Sequence, residues 1–526
     1  MAKKRTGKAK SRQGARSRKS SVSHDGVRNI PYDLILTCMV AAYLLYYLFG
    51  LFASLDEVHF WSDENTHAYI SSVIYKTKQL PVLLPEKIYG GYEYSYPPFF
   101  HILNAFLLTI GGYEAMQYTN MVLLALFLAC FYVLLKRHYG ITSANVACLL
   151  ITLSPIVAIN SVRFMTEMLS MVLIFASVFS WLLMLKNDKV SWAIFSGIAT
   201  GLLMLSKQIG IVIYGFYGLL LIWFFFKQRK YVYPMGYVVG IATAIFLPYF
   251  IWALVHKVNI FGFISVLSGN QPGWATTAVV SFQEYSFSPK EFVLLFHEGN
   301  GTLFCVSLLV PLFYFLKKRG RDFPHNLVLL LVLYLAGIMM IWHITNSRHT
   351  IVLLPMVAFL VGYAFQQLNL KRMVIRSITV LLILFAAFST YNLPNYRQAY
   401  NAPGRMRKMA QYIKDEFPTR KRTLAVQAFD YLMLTGKPVI WLYPNLRDIP
   451  IDLFEAQTPF EQYNVLKKYN IDLVLIDTRY VGTNYDFMGR NYPLTFVNNC
   501  ELLDKLGKLR LKTLSESATL ILLEVI

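Results

Sequence analysis

Long apolar runs constrain this chain more than any other feature. A helix needs roughly 20 consecutive, mostly apolar residues to cross a bilayer. Only 15% of the 526 residues are charged and 56% are hydrophobic, whereas an average soluble domain carries about 25% charged residues. The hydrophobic residues are concentrated in runs at 34–53, 122–135 with its flanks, 168–185, 209–226 and 232–254. The sequence therefore predicts a protein that crosses the membrane many times.

The basic residues indicate how the chain is oriented. Its formal net charge is +21, and nine of the first twenty residues are Lys or Arg, with no acid among them. Lys and Arg accumulate in cytoplasmic loops, so residues 1–31 are predicted to be a basic cytoplasmic tail. The same rule places the loops 136–138, 186–189, 227–230, 317–321 and 371–372 inside. No nucleic-acid-binding motif accompanies the charge, so we expect no nucleic-acid partner.

One short apolar segment decides the number of spans. Residues 99–112 form an apolar run of about 14 residues, and if it crossed the membrane the later basic loops would all lie outside. A run of this length is more often interfacial or re-entrant, so we expect it at the outer face. About eleven spans are then predicted: 32–53, 117–136, 142–160, 164–186, 190–206, 208–227, 231–256, 301–317, 325–344, 349–366 and 371–390. An odd number places the C-terminus outside.

The segment after the last predicted span has a different pattern. From residue 391 onward, helix-like stretches (406–417 and 460–469) alternate with strand-like ones (424–427, 439–443, 473–477 and 519–525). Such alternation is typical of a small α/β domain. The predicted architecture is therefore a polytopic α-helical membrane domain (32–390), interfacial helices in its first outer loop (54–116), and an extracytoplasmic α/β domain (391–526).

Acids and histidines are crowded in the first outer loop: Asp56, Glu57, His59, Asp63, Glu64 and His67. Ser62 is a predicted helix N-cap, which places Asp63 and Glu64 in the first turn. Asp63 and His67 are four residues apart and share a helix face. The alternative is that first-turn acids only complement the helix dipole.

Further charged residues lie at predicted outer ends of spans. Arg163 and Glu167 are four apart, and Lys207 and Arg348 each follow an apolar run. The alternative readings are a mutual ion pair, a lysine that snorkels to the interface and an ordinary cation at a span end. Together, however, these residues put carboxylates and cations on the same side of the membrane. A carboxylate can act as a general base, and Lys or Arg can stabilise charge on a departing phosphate. The combination suits group transfer from a membrane-anchored phosphate donor.

The order and spacing of these motifs resemble the GT-C superfamily of membrane glycosyltransferases. Asp63-Glu64-Asn-Thr-His67, Pro81 and Tyr94-Ser-Tyr-Pro97-Pro98 are similar to the protein-O-mannosyltransferase and aminoarabinose-transferase-like branch (glycosyltransferase family 39-like). Arg163-Phe-Met-Thr-Glu167 resembles the second acidic motif of that branch. Lys207 resembles its lysine after a later span, and Arg348 followed by Pro355 also fits. The likeness covers roughly residues 32–390.

This resemblance implies an enzyme that moves a hexose or pentose from a polyprenyl- or dolichyl-phosphate donor to a protein or lipid acceptor, with inversion. It implies that Asp63 deprotonates the acceptor, with Glu64 and His67 in support. Lys207, with Arg163 and Arg348, would hold the donor phosphate, and Glu167 would bind the acceptor or a cation. No cofactor is certain. If a divalent cation such as Mg²⁺ or Mn²⁺ takes part, Glu167 and Asp63 are its candidate ligands.

Three alternatives stay open at this point. Asp56-Glu57-Val-His59-Phe60 also resembles a mannosyltransferase motif and could be the catalytic segment instead of Asp63-Glu64. The protein could be a transporter or flippase of a lipid-linked saccharide, although such proteins carry ionisable groups at mid-membrane and the predicted span centres here have almost none. It could also be a catalytically silent relative that binds a partner. The plasma membrane of a prokaryote fits best, and the endoplasmic reticulum is not excluded.

Overall fold

A computed structural model describes most of the chain. The described residues are 30–53, 63–84, 92–93, 96–258, 289–318, 323–341, 347–368, 372–391, 403–419, 422–425, 431, 435, 437, 439–441, 452–453, 456–477, 481–482, 492–514 and 520–526. The basic tail 1–29 and the residues Asp56 and Glu57 lie outside this set.

The described residues of the chain up to 391 are mainly helical. Its helices are α1 (Ile30–Ala53), α2 (Asp63–Thr77), α3 (Phe99–Gln117), α4 (Thr119–Tyr139), α5 (Ile141–Leu153), α6 (Pro155–Val162), α7 (Thr166–Asn187), α8 (Val190–Met204), α9 (Ile209–Lys227), α10 (Val232–Val255), α11 (Pro289–Ser307), α12 (Leu309–Lys318), α13 (Phe323–Ile341), α14 (Leu354–Gln367) and α15 (Arg372–Tyr391). Short 3₁₀ helices at Arg229–Tyr231 and Ser347–Leu353 precede α10 and α14. Between α2 and α3, β1 (Leu83–Leu84) pairs antiparallel with β2 (Tyr92–Glu93).

The chain is an integral membrane protein with many spans. Within the described ranges, eight helices are long and apolar enough to cross a bilayer, or nine if the bent pair α5–α6 is one span. Three shorter apolar helices are Phe99–Tyr113, Val190–Met204 and Pro324–Met340. The predicted number of about eleven spans requires the last two of these to cross and the first to lie at the interface. That number stays a prediction.

Two predicted spans are not continuous helices. In place of 142–160, α5 and α6 meet at Ser154 with a bend of 68°. The cause is Pro155, because a residue that precedes proline is disfavoured in helical conformation, and Ser154 is extended (φ −82°, ψ 115°). The predicted span 301–317 is also broken. Its first helix begins earlier, at Pro289, and is kinked at Gly301, whose positive φ of 78° suits glycine.

Small residues let the helices approach closely. A Cβ on Gly201 of α8 would lie 2.7 Å from Cβ of Ile245 in α10, and one on Gly362 of α14 would lie 2.4 Å from the backbone oxygen of Ser143 in α5. Packing of this kind holds helices together where lipid removes the hydrophobic driving force. At the centre, the hydroxyls of Ser177, Thr200 and Tyr217 join α7, α8 and α9 by hydrogen bonds of 2.7 and 3.0 Å.

Gly362→Ala is expected to destabilise the bundle by about 1–3 kcal/mol, the usual effect of adding a methyl group to a packed core. The obstacle is a backbone atom, so no side-chain rotation relieves it. Thermal unfolding in detergent measures the change as a lower midpoint. Gly218→Ala in α9 is the matched control, because a Cβ there meets nothing within 4 Å. Equal midpoints for the two variants would contradict the close approach of α5 and α14.

The C-terminal part contains a five-stranded sheet. Its strands are β3 (Thr423–Ala425), β4 (Val439–Trp441), β5 (Leu473–Asp477), β8 (Leu509–Leu514) and β9 (Leu520–Val525), in the order β4-β3-β5-β9-β8. The pairs β4–β3 and β3–β5 are parallel, and the pairs β5–β9 and β9–β8 are antiparallel. A separate small pair is formed by β6 (Val481–Gly482) and β7 (Tyr492–Pro493). The helices of this part whose bounds lie within the described residues are α16 (Pro403–Glu416), α17 (Pro459–Lys468) and α18 (Leu494–Lys505).

One face of this sheet packs against α2. Buried residues of α2 (Ile70, Val73 and Ile74) form one hydrophobic cluster with residues of α16 and of strands β3, β4, β5 and β9. The other face packs on α17 and α18, with Leu466, Phe496 and Leu503 at its centre. The C-terminal sheet and α2 therefore lie on the same side of the membrane. Helix α2 is held between the sheet and α3.

Candidate active site

The N-terminal turn of α2 is buried although it is polar. Asp63 is the first residue of the helix; its side chain is outside the described set. Glu64, Asn65, Thr66 and His67, which follow it, are all buried. Buried polar groups are costly unless they are hydrogen-bonded or paired, so each needs a partner from another segment.

Glu64 is paired with Arg163. Nε of Arg163 donates to Oε1 of Glu64 at 2.6 Å, and the backbone N–H of Phe164 donates to Oε2 at 3.3 Å. Arg163 is extended because it lies in the connection between α6 and α7. The Asn120 amide of α4 supports this connection by donating to the backbone oxygens of Arg163 and Met165. The resemblance implied that Arg163 helps to hold the donor phosphate. In the structure Arg163 forms an ion pair with Glu64 of α2.

His67 is paired with a histidine that the sequence analysis did not single out. Nδ1 of His67 lies 2.9 Å from Nε2 of His101, in the first turn of α3. The rings of Tyr96 and Phe100 pack edge-on against His67, with centroids 5.2 and 5.7 Å away. The only signal in the sequence was that a histidine follows Pro97-Pro98 within an apolar helix. Glu64, Arg163, His67 and His101 are called the α2 cluster below.

A second cluster surrounds Glu167, in the first turn of α7. Its Oε1 accepts from Nζ of Lys207 at 2.7 Å, and it lies 3.5 Å from Nε of Arg348 and 3.7 Å from Nδ1 of His349. Nζ of Lys207 also lies 3.4 Å from Nδ1 of His349. The Glu167 side chain is only 2% exposed, whereas those of Lys207 and Arg348 are 16% and 19% exposed. Glu167, Lys207, Arg348 and His349 form the Glu167 cluster.

The elements that carry the Glu167 cluster are anchored by a buried polar network. The Asn300 amide of α11 accepts from Oγ of Ser154 at 2.9 Å and donates to Oγ1 of Thr350 at 3.1 Å. Thr350 in turn donates to the backbone oxygen of Ser347, which precedes Arg348. The break between α5 and α6 is thereby tied to the 3₁₀ helix that carries Arg348 and His349. The sequence analysis missed Asn300, which has no motif around it.

The two clusters are joined through the start of α3. The backbone N–H of Phe99 donates to the backbone oxygen of Leu205 at 2.7 Å, two residues before Lys207. The hydroxyl of Tyr249 in α10 donates to the backbone oxygen of Tyr96 at 3.4 Å. The segment 96–101 therefore contacts α2 through His101 and the Lys207 turn through Phe99.

The charges of the Glu167 cluster favour an anion. Two permanent cations and a histidine surround a single carboxylate, so the cluster has an excess of positive charge. Lys and Arg at such a position can bind a phosphate group. The same surroundings disfavour a divalent cation at Glu167, a candidate metal ligand. Within the described residues, no three His, Cys, Asp or Glu side chains are grouped so that they could hold a metal ion.

Comparison with known proteins identifies the fold. Residues 95–252 match the family model described as dolichyl-phosphate-mannose-protein mannosyltransferase. This range contains His101, Arg163, Glu167 and Lys207, but not Asp63 or Arg348. No curated protein matches the sequence of the chain.

Solved structures match over most of the chain. ArnT from Cupriavidus metallidurans bound to undecaprenyl phosphate is 12% identical, with a TM-score of 0.64 over 93% of this chain and 98% of that one. The oligosaccharyltransferase AglB from Archaeoglobus fulgidus, in complex with an inhibitory peptide and a dolichol-phosphate, is 14% identical, with a TM-score of 0.56 over 84% of this chain and 69% of that one. The Archaeoglobus fulgidus oligosaccharyltransferase in complex with Zn and sulfate matches with the same identity, TM-score and coverage.

At these identities the structural matches show the fold, and the family model covers a part of it. The resemblance inferred from Asp63-Glu64, Pro97-Pro98, Arg163 to Glu167 and Lys207 is confirmed: the chain has the fold of the GT-C membrane glycosyltransferases and is similar to their protein-O-mannosyltransferase and aminoarabinose-transferase branch.

Proposed function

We propose that the protein transfers a sugar from a polyprenyl- or dolichyl-phosphate donor to a protein or lipid acceptor on the extracytoplasmic side. The observation that carries this proposal is the Glu167 cluster. Its four residues come from three separate segments and converge in a largely buried site, which the start of α3 links to the acid-bearing helix α2. The solved relatives of this fold include one bound to undecaprenyl phosphate and one bound to a dolichol-phosphate.

The cations are assigned to the donor phosphate. Lys207 and Arg348, now on Glu167, would share their charge with the lipid phosphate and stabilise it as it leaves. Arg163 uses Nε for Glu64, and its Nη groups carry further N–H donors, so a contact with the phosphate is compatible with its present partner. Glu167 keeps these cations in place and is assigned to bind the acceptor.

The acids of α2 are assigned to the acceptor. Asp63 takes the proton from the acceptor hydroxyl while the hydroxyl oxygen attacks the anomeric carbon. The bond from that carbon to the phosphate oxygen breaks, and the lipid phosphate leaves on the opposite face, so the configuration is inverted. Glu64 and His67 support Asp63 from the same turn of the helix. Asp63 is also the remaining candidate ligand if a divalent cation takes part.

The orientation is proposed from the charge pattern and the packing. The N-terminal tail lies in the cytoplasm, and α2 lies outside after the first span. The C-terminal sheet packs on α2, so residues 391–526, proposed as an α/β domain, lie outside as well. The plasma membrane of a prokaryote is the proposed location.

The proposal is tested with purified protein in liposomes and polyprenyl-phosphate donors labelled in the sugar, either a hexose or a pentose. We expect the label to leave the lipid and appear on a peptide or lipid acceptor, and NMR of the product to show the inverted anomer. Label that crosses the bilayer while still attached to lipid would identify a transporter instead. Lipid binding with neither transfer nor movement would identify a silent binding protein.

A further inference from the structure

We propose that His101 is a positioning residue that holds His67 in one tautomer, with the proton on Nδ1 and the accepting lone pair on Nε2. This inference rests on the proposed function, because it gives His67 its part in the transfer. It concerns a residue of α3 that contacts no proposed substrate group and acts only through its neighbour.

The first observation is the burial of the pair. His101 is fully buried and His67 is 4% exposed, and their rings meet at 2.9 Å between Nε2 and Nδ1. Burying two imidazole rings away from water costs free energy unless their nitrogens are hydrogen-bonded. A purely apolar contact between α2 and α3 could be made by two phenylalanines, so the nitrogens need an explanation of their own.

The second observation orders the protons. His101 also has a hydrogen bond to the backbone carbonyl of Pro97. A carbonyl only accepts, so the His101 nitrogen that faces it carries a proton. Nε2 faces His67, which leaves Nδ1 of His101 as that donor. Burial, and next the neighbouring His67, hold the pKa of His101 well below its usual value. The ring is therefore neutral, and a neutral imidazole carries one proton.

The proton positions then follow along the chain of contacts. Nδ1–H of His101 donates to Pro97, so Nε2 of His101 has no proton and can only accept. Nδ1–H of His67 is the donor to it. Nε2 of His67 is left as the nitrogen that accepts hydrogen bonds or a proton. The backbone carbonyl of Pro97, which can only accept, sets the direction of both hydrogen bonds. The start of α3 fixes the position of this carbonyl.

The tautomer matters because of where His67 lies. It is one helical turn after Asp63 and three residues after Glu64, so all three share the end of α2. When Asp63 takes the proton of the acceptor hydroxyl, Nε2 of His67 can receive it and then release it to water, so that Asp63 is again ionised and His67 again neutral for the next turnover. A His67 with its proton on Nε2 could not do this. The sugar transfer itself is as proposed above: the acceptor oxygen forms a bond to the anomeric carbon, and the bond from that carbon to the lipid phosphate breaks.

The test compares variants of His101 in the transfer assay. His101→Phe keeps an aromatic ring but has no acceptor, and we expect kcat to fall about 10- to 100-fold, the range found when the partners of metal-bound histidines are removed, with KM for the donor nearly unchanged. His101→Gln can place an oxygen near the position of Nε2 and should restore most of kcat. His325→Phe, in a buried histidine stacked on Tyr363, is the matched control with unchanged kcat.

A double-mutant cycle separates positioning from structure. If His101 acts through His67, His101→Phe should cost nothing further in a His67→Gln background. An undiminished loss in that background, or full kcat in His101→Phe alone, overturns the inference while sugar transfer by the wild type still stands. Failure of the wild type to transfer sugar overturns the proposed function instead. In that case ¹⁵N NMR of histidine-labelled protein still decides the tautomer, and a protonated Nε2 in His67 overturns the inference.

Discussion

Asp63→Asn is expected to lower sugar transfer by about 100- to 10,000-fold, the contribution of a well-placed general base. Asn has nearly the shape of Asp but cannot take the proton of the acceptor hydroxyl. It is also accepted at helix starts, so α2 should stay folded. The loss should therefore appear in kcat, while binding of the lipid donor is retained. Transfer kinetics together with donor binding measure both quantities.

Asp56→Asn is the matched control for this variant. The two acids lie in the same loop, and Asp56-Glu57 resembles the same motif. We expect Asp56→Asn to stay within a few-fold of the wild type. The reverse result, with a large loss in Asp56→Asn and little in Asp63→Asn, would move the catalytic pair to Asp56-Glu57. Full activity in both variants would exclude Asp63 and Asp56 as the general base and leave Glu64 and Glu57 as the candidates in this loop.

Lys207→Met is expected to produce the second large effect, on the donor. A hydrogen bond to a charged group is worth about 1.5–3 kcal/mol, which corresponds to a loss of donor affinity of roughly 10- to 150-fold. Methionine has a similar length and lacks the charge. Glu167 would keep Arg348 and His349 within 4 Å, so the site is weakened without being emptied of positive charge.

Binding of polyprenyl phosphate, measured with and without an attached sugar, checks this second expectation. Both lipids should lose affinity to a similar extent, because the lost contact is to the phosphate. Lys189→Met, in an exposed residue between α7 and α8, is the control and should bind like the wild type. If only the sugar-bearing lipid lost affinity, Lys207 would belong to the sugar site.

Glu167 and Lys207 stood out in the sequence because each lies at the end of an apolar segment, where a charge is unusual. Asp63 and Glu64 stood out because acids and histidines are crowded in the segment that holds them. Their roles in catalysis stay predictions. The bend at Ser154 was also present in the sequence, as Pro155, but 142–160 was treated as one span because its hydrophobicity is continuous. In the C-terminal part, α16 and α17 begin and end within three residues of the predicted stretches 406–417 and 460–469, whereas only a helical turn at 502–506 was predicted where α18 lies.

The partners within the site could not be found in this way. Arg163 pairs with Glu64 across 99 positions of the chain, and His67 pairs with His101 across 34. Such pairs depend on how α2, α3 and the α6–α7 connection pack, which local periodicity does not contain. Local spacing alone suggested that Arg163 and Glu167 would pair with each other. The structure instead gives each of them a partner from a distant segment.

The packing of the C-terminal sheet on α2 also implies an order in which parts of the protein are completed during synthesis. Helix α2 is synthesised soon after the first span, whereas Leu520 and Leu522, in the same hydrophobic cluster as Ile70, come from the last strand. Until that strand leaves the ribosome, the part of α2 that follows its acids and His67 has no complete cover. Lys207 and Arg348, the cations proposed to bind the donor, are made earlier, with the spans. In a growing chain the Glu167 cluster can therefore assemble well before α2, which carries the proposed base, has its final support.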